Sequence, residues 1–383
     1  MTVPTTVLGD VRSTILTPLL GWKFEYNINP SIVNTSVTNS GSVAQTNSMA
    51  LLTAPGATAS LAQITSLRNL AVLPGLGVVV RFTAAFTEGV AGTTQYIGIG
   101  DDYNGFFFGY TGSEYGILQR TDGSLSWTAQ TSWTQTLIGD GFADTITPTK
   151  LNAYQITFSA SRVGLISFYI QDPIGGKWIL VHTIQHGNNS SAPAIYHVNL
   201  PLNAQVANTT TAATTAVSLY TSSAAAFTEG TESEYLLEIH GHRSASVTNF
   251  TTEKLILSLQ NSTTFAGVTN GKVCIMENLS VATSSSSPIS LNFLKNSILT
   301  NATFTDVDAT SSVVKYDSST VTALSTSGTS LYSFMLGKED ATLIDLSSMQ
   351  FTMNPGDIIT ISANPVETSN TSSVYLTVGW EEE

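Results

Sequence analysis

The side chains best placed to do chemistry lie in one short stretch, "IGIGDDYNGFFFGYTG" (97–112), where Asp101, Asp102, Tyr103 and Asn104 form a turn ahead of three phenylalanines. Two carboxylates and an amide in one loop are hard oxygen ligands of the kind calcium takes. Tyr103, at the tip, offers an aromatic face on which a sugar ring can stack. The same residue types also make ordinary tight turns, because Asp and Asn side chains accept bonds from nearby backbone N–H groups. The turn is the leading expectation, and ligand binding by Asp101, Asp102, Tyr103 and Asn104, to calcium or a glycan, is the second.

Other constellations are thinner. His240 and His242 stand two apart, which puts both on one face of a strand where two imidazoles could meet a metal, but two solvent-facing histidines are the leading expectation. His182, His186 and His197 are similarly scattered, so no metal centre is expected. A retaining glycosidase needs two carboxylates roughly 5 Å apart. The pattern Glu-x-Asp-x-x-Glu that would place them along one strand does not occur, and the densest acid cluster, "EGTESEYLLE" with Glu232 and Glu234, precedes its strand. No Gly-x-Ser-x-Gly elbow and no phosphate-cradling glycine loop ahead of a helix is present. Cys274, the single cysteine, sits in the strand-like run "KVCIMENLSV" and reads as a buried, inert thiol. The chain is therefore expected not to be an enzyme.

Composition says what must hold these residues. Charged residues make up only 11% of the 383 positions, against a globular norm of about 25%, so Ser, Thr, Asn and Gln must cover the surface. Threonine-rich uncharged surfaces suit the faces of sheets. With 14 basic and 27 acidic residues the formal charge is −13. That balance disfavours nucleic acid and anionic membrane surfaces, both of which need clustered cations. No stretch is apolar enough to span a bilayer as a helix, and the first residues lack the pattern of a secretion signal, which implies assembly in a cytosol.

The positioning elements read as strands almost throughout. "GVVVRFTAAF" alternates with Val80, Phe82, Ala84 and Phe86 on one side. "TQYIGIG" and "FFFGY" flank the acidic turn at hairpin spacing, which puts Phe106, Phe108 and Tyr110 on one face and Phe107 on the other. A strand apolar on both faces must be covered on both. "GLISFYIQDPIGGKWILVHTI" reads as a second hairpin turning at Asp172–Gly176, "TSLRNLAVL" as one short helix, and the last strand "SSVYLTVGWEEE" as burying Val374, Leu376, Val378 and Trp380. The organisation expected is an extended N-terminal arm over 1–22, a larger sandwich over 23–245, and a second sandwich over 250–383, with the polar run "RSASVTNFTT" between them. The fold class is all-β: a concanavalin- or laminin-G-like jelly-roll sandwich followed by a second, smaller β-sandwich.

Four stretches carry a family resemblance: "LPGLGVVVRFTAAF", "IGIGDDYNGFFFGYTGSEYGILQR", "WILVHTIQHGN" and the ending "MNPGDIITISA" through "VYLTVGWEEE". In these the chain resembles virion structural proteins of tailed phages and large DNA viruses, described as tail-fibre-like or capsid-associated. The resemblance implies a non-enzymatic protein of the virion exterior, serving surface display and host attachment, with other virion proteins and a host-surface glycan as partners. A homo-oligomer, most simply a trimer, fits low charge and apolar strands finished by partners. The alternatives are a lectin-like adhesion module and, behind it, a glycoside hydrolase.

Overall fold

The computed structural model describes residues 16–30, 32–70, 75–134, 146–197, 199–209, 215–230, 239–349, 351–367 and 371–382. The chain divides into two compact units, Met1–Ser233 and Glu234–Glu383. The expected all-β class holds: the first unit is a jelly-roll sandwich and the second a smaller sandwich. Every strand pairing is antiparallel among the described residues.

One sheet of the first unit runs Trp178–Ile184, Ile166–Gln171, Asn152–Ser159, Gly77–Phe86. It then divides, because Gly77–Phe86 meets Ser223–Glu229 along most of its length and Val217–Thr221 at its end. The facing sheet runs Ser124–Ala129, Glu114–Thr121, Gly105–Thr111, Thr93–Gly100, Leu202–Asn208, Leu61–Ser66, Val33–Thr38. The alternation read in "GVVVRFTAAF" is real: Val78, Val80, Phe82, Ala84 and Phe86 all enter the core between the sheets. Phe106 and Phe108 meet them there, Phe106 at 5.3 Å from the Phe158 ring and Phe108 at 4.9 Å from Tyr154. Phe107 points out of the sandwich yet is fully buried, in a satellite cluster with Tyr96, Leu118 and Trp127.

Three expectations are corrected. Residues 16–22 of the supposed arm lie in the strand Leu16–Lys23, paired with Ser223–Glu229, where Trp22 buries 96% of its surface; residues 1–15 lie outside the described set. Local sequence could not show this, since the strand's partner is some two hundred residues away. The helix expected at "TSLRNLAVL" is not formed in its described part. Thr65 and Ser66 finish the strand Leu61–Ser66, and the Ser66 hydroxyl turns the chain by donating to the Arg68 carbonyl at 2.6 Å. The polar run around 243–252 is largely strand, not a linker: Ile239–Phe250 pairs with the terminal strand Ser372–Glu382 from Ile239↔Glu382 to Phe250↔Ser372. Ser244, Ser246 and Thr248 are exposed along it, and Ser244 bonds across the ladder to Thr377 at 2.8 Å, so polarity concealed the period.

In the second unit, a sheet ordered Ile239–Phe250, Ser372–Glu382, Cys274–Thr283, Ala341–Asp345 packs on one ordered Thr305–Asp306, Val314–Asp317, Lys254–Asn261, Ile358–Pro365, Ile289–Lys295, Thr329–Leu336. Val374, Leu376, Val378 and Trp380 face inward as the alternation requires. Cys274 lies in the same core, and burial pushes its thiol well above the ordinary cysteine value, which makes it a poor nucleophile. Trp380 is fully buried and its indole N–H donates to Glu382 at 3.1 Å. Glu382 is itself buried, taking further bonds from the Ser312 hydroxyl and the Val313 amide, so this acid is an internal fastener.

Truncating Trp380→Ala removes the largest side chain of this core and leaves Glu382 short of a donor. A loss of about 3–5 kcal/mol is expected. In chemical denaturation followed by intrinsic fluorescence and circular dichroism, the midpoint of the second unit's transition should fall; an unchanged midpoint contradicts the packing described.

Candidate functional site

The turn after Thr93–Gly100 is tight because Gly100 and Gly105 pair directly across it, where a Cβ on either would come within 2.5 Å of the other's Cα. Asp101 closes the turn as the sequence suggested. Its Oδ1 accepts the Tyr103 amide at 2.8 Å and the Asn104 amide at 2.7 Å, while its own N–H donates to the Asn104 carbonyl at 2.8 Å. Its second oxygen faces His197 Nε2 at 3.3 Å. Asn104 is buried, and its Oδ1 accepts the Tyr196 amide at 2.8 Å. The oxygens of Asp101 and Asn104 that a calcium ion would need are thus bonded to the protein itself. Asp102 projects into solvent with 82% of its side chain exposed, 3.7 Å from Arg120. Among the described residues no group of three His, Cys, Asp or Glu side chains is arranged to hold a metal ion.

Beneath the turn lies Arg120, from the strand Glu114–Thr121. One guanidinium nitrogen donates to the Asp101 carbonyl at 2.8 Å and the other to the Tyr96 hydroxyl at 2.7 Å. Its planar head also covers the rings of Tyr96 and Phe107, at 4.8 and 5.5 Å from their centroids. Phe107 is therefore sealed by a cation that at the same time holds the turn. Burial drives the Tyr96 phenol up to about 12, against the opposing pull of Arg120, so it stays a neutral donor and acceptor at any physiological pH.

The structure brings to this turn a second segment that sequence reading did not connect with it, Ala194–His197. The Ala194 carbonyl accepts Thr121 Oγ1 at 2.6 Å and Gln119 Nε2 at 3.3 Å, and its amide donates to the Arg162 carbonyl at 2.8 Å. The Tyr196 amide goes to Asn104, and its carbonyl receives the Arg162 guanidinium. Tyr103 and Tyr196 therefore stand one peptide and one hydrogen bond apart, each about half exposed at 47% and 48%, on a base in which Asn104, Arg120 and Ala194 are buried. Val163 and Leu165, on the adjoining turn, are similarly exposed. Tyr103 was the one aromatic legible in the sequence. Tyr196, Arg162 and Arg120 were missed because the bonds assembling them cross up to 92 residues.

Among the described residues the histidines belong to no group of three side chains arranged to hold a metal ion. His182 Nδ1 accepts the Thr134 amide at 3.2 Å, and His186 bonds the Ala192 carbonyl. His242 is exposed on Ile239–Phe250, while the side chain of His240 and the acids Glu232 and Glu234 lie outside the described residues. His197 has a different task. Burial lowers its pKa below the ordinary value, Asp101 pulls it back up in part, and Arg162 pushes it down again. Its Nδ1 has no hydrogen-bond partner among the described residues, so a second ring proton finds no acceptor there.

No protein-family model matches the chain, and no curated protein matches it. Among solved structures it is similar to an immunostimulatory antigen and pseudo β-1,3-glucanase of Mycobacterium tuberculosis, at 10% identity over 56% of this chain and 100% of that one, with a TM-score of 0.39. It is also similar to the lectin UEA-II complexed with galactose, at 11% identity over 56% and 100% of the two chains, TM-score 0.36. A third is the exoplasmic/lumenal domain of VIP36 in its Ca2+/Man3GlcNAc-bound form, at 11% identity over 57% and 92%, TM-score 0.37. Likeness at this level carries no argument about what the present chain binds.

Two outcomes are expected from this geometry. Asn104→Ala leaves the Tyr196 amide without its acceptor, at a cost of about 1–3 kcal/mol. In a unit of this size that lowers the melting temperature by roughly 2–4 °C per kcal/mol, and amide exchange at Tyr196 should accelerate. The second concerns pH. His197 and His182 both have folded-state values below the unfolded one, so the unfolded chain takes up protons more readily. Above about pH 6.5 neither contributes a penalty; as pH falls below that, the first unit loses stability until the folded-state values are passed. Melting curves from pH 7.5 to 5 should show the decline, and His197→Gln should flatten it.

Proposed function

We propose that the first unit is a non-catalytic glycan-binding module whose platform is the Tyr103–Tyr196 pair. The observation that carries the reading is the contrast in exposure: two tyrosines half in solvent, on a base of buried and fully bonded residues. An exposed ring on a rigid mount presents an apolar face and a hydroxyl at little further cost in conformational entropy, which is what stacking on a pyranose requires. Asp102 at the edge adds an acceptor for sugar hydroxyls. The Asp101 and Asn104 oxygens hold the platform, and calcium has no part in this reading. Nor does a catalytic step: the sequence lacks the Glu-x-Asp-x-x-Glu pattern that would set two carboxylates along one strand for glycoside hydrolysis.

The virion resemblance supplies a setting in which such a platform serves host attachment, displayed on a particle exterior by an oligomer. Repetition in a trimer would multiply weak single-site binding. The glycan reading does not depend on that setting.

Binding of the whole chain to a broad glycan array, followed by titration calorimetry with the best ligand, tests the platform. Tyr103→Ala and Tyr196→Ala should each weaken binding at least roughly tenfold, about 1.4 kcal/mol, with melting temperatures close to that of the parent and no response to chelator. Failure of the parent chain to bind any glycan, or full affinity in both variants, removes the reading.

A further inference from the structure

Within the cluster the ionic groups are unequally committed. Arg120 spends one nitrogen on the Asp101 carbonyl and the other on the Tyr96 hydroxyl, and it lies beneath the turn. Asp101 is held by two backbone amides and His197. Arg162 is placed otherwise. Its side chain is exposed and bonds the Tyr196 carbonyl through a single nitrogen, and among the described residues no carboxylate pairs with it. A guanidinium carries five N–H donors in a planar fork, so most of its donors remain directed elsewhere.

The backbone under Arg162 is fixed. Its φ of +64° is the left-handed region, unfavourable for a residue with a Cβ, and it is pinned on both sides: the Arg162 amide donates to the Ser159 carbonyl at 3.1 Å and its carbonyl accepts the Ala194 amide at 2.8 Å. Residues kept in sparsely populated conformations are held there by their surroundings and concentrate at ligand sites. A cation on a pinned backbone, bonded to the carbonyl of an exposed tyrosine, stands out in a chain of net charge −13.

We infer that the loop cluster selects an acidic sugar, a uronic or sialic acid, whose carboxylate is received by the Arg162 guanidinium while the ring stacks on Tyr196. This rests on the glycan reading above. A planar carboxylate meets the fork of a guanidinium through two parallel N–H bonds, which a neutral hydroxymethyl group cannot reproduce. His197 stands on the inner side of the same segment and is occupied by Asp101, so the carboxylate's partner is Arg162 and not the histidine.

The test uses the whole chain and two probes, methyl glucuronide and a methyl sialoside, each set against its own methyl ester, with methyl glucoside as a neutral sugar. Loss of a charge-assisted bond corresponds to a roughly ten- to hundredfold change in affinity. At least one acid should therefore bind that much more tightly than its ester. Arg162→Gln should bring that acid down to the level of the ester, and Arg162→Lys, which keeps the charge without the fork, should fall between. The comparison of acid with ester needs no variant, so it stands even if a substitution at this strained position impairs folding. Equal binding of both acids and their esters, or binding of the neutral sugar alone, overturns the assignment to Arg162 and leaves the glycan platform standing. Absence of binding to any sugar overturns both.

Discussion

Arg120 is where the two faces of one strand are reconciled. Three consecutive phenylalanines in a strand cannot all reach one core, and Phe107 must point away from it. An aromatic ring on the outside of a sheet would ordinarily meet water. Here it is covered by Tyr96, Leu118 and Trp127 and by the flat head of Arg120, whose charge is satisfied at its edges while its face lies on the rings. The arrangement depends on arginine in particular, since an ammonium has no plane to lay on a ring and no fork to reach both the Tyr96 hydroxyl and the Asp101 carbonyl. The lid over Phe107 and the support of the acidic turn are one interaction.

The rest of the site follows from that support. With its base held from below, the turn can commit Asp101 to its own backbone and Asn104 to a segment far along the chain. Asn104 in turn fixes Tyr196 next to Tyr103.

How much of this could be read from the chain itself depends on the range of the interactions. The hairpin across Gly100 and Gly105, the inward row of Val80, Phe82, Ala84 and Phe86, and the terminal strand ending in Trp380 are patterns of period two, visible within ten residues. The opposed faces of Phe106 and Phe107 follow from the same period. What covers Phe107 does not, because Arg120 gives no sign in sequence that it lies flat on two rings. Ile239–Phe250 was hidden for another reason. In a protein with so few ions the solvent face of a strand carries Ser and Thr, and where inward residues are also small the alternation loses contrast. The strand Leu16–Lys23 shows the same limit from the side of topology, since its partner Ser223–Glu229 is fixed by the closing of the sandwich.

Scarcity of charge also bears on how such a surface can discriminate. A face covered by hydroxyls and amides, as in the Ser244–Thr377 ladder, offers much the same bonds to any polar ligand and so provides little selectivity. Selectivity must then come from the few places where geometry is fixed and chemistry differs from the background. The end of the first sandwich has both: two tyrosines raised on a buried base, and a guanidinium set by a left-handed backbone against a predominantly acidic chain. Arg162 pairs with no carboxylate among the described residues, in a protein with 14 basic residues against 27 acidic ones. Asp101 is bonded to two backbone amides and faces His197, and Asp102 lies 3.7 Å from Arg120. The same bonds that make the turn rigid therefore fix both tyrosines, and the lid over Phe107 and the mounting of Tyr103 and Tyr196 have a common origin.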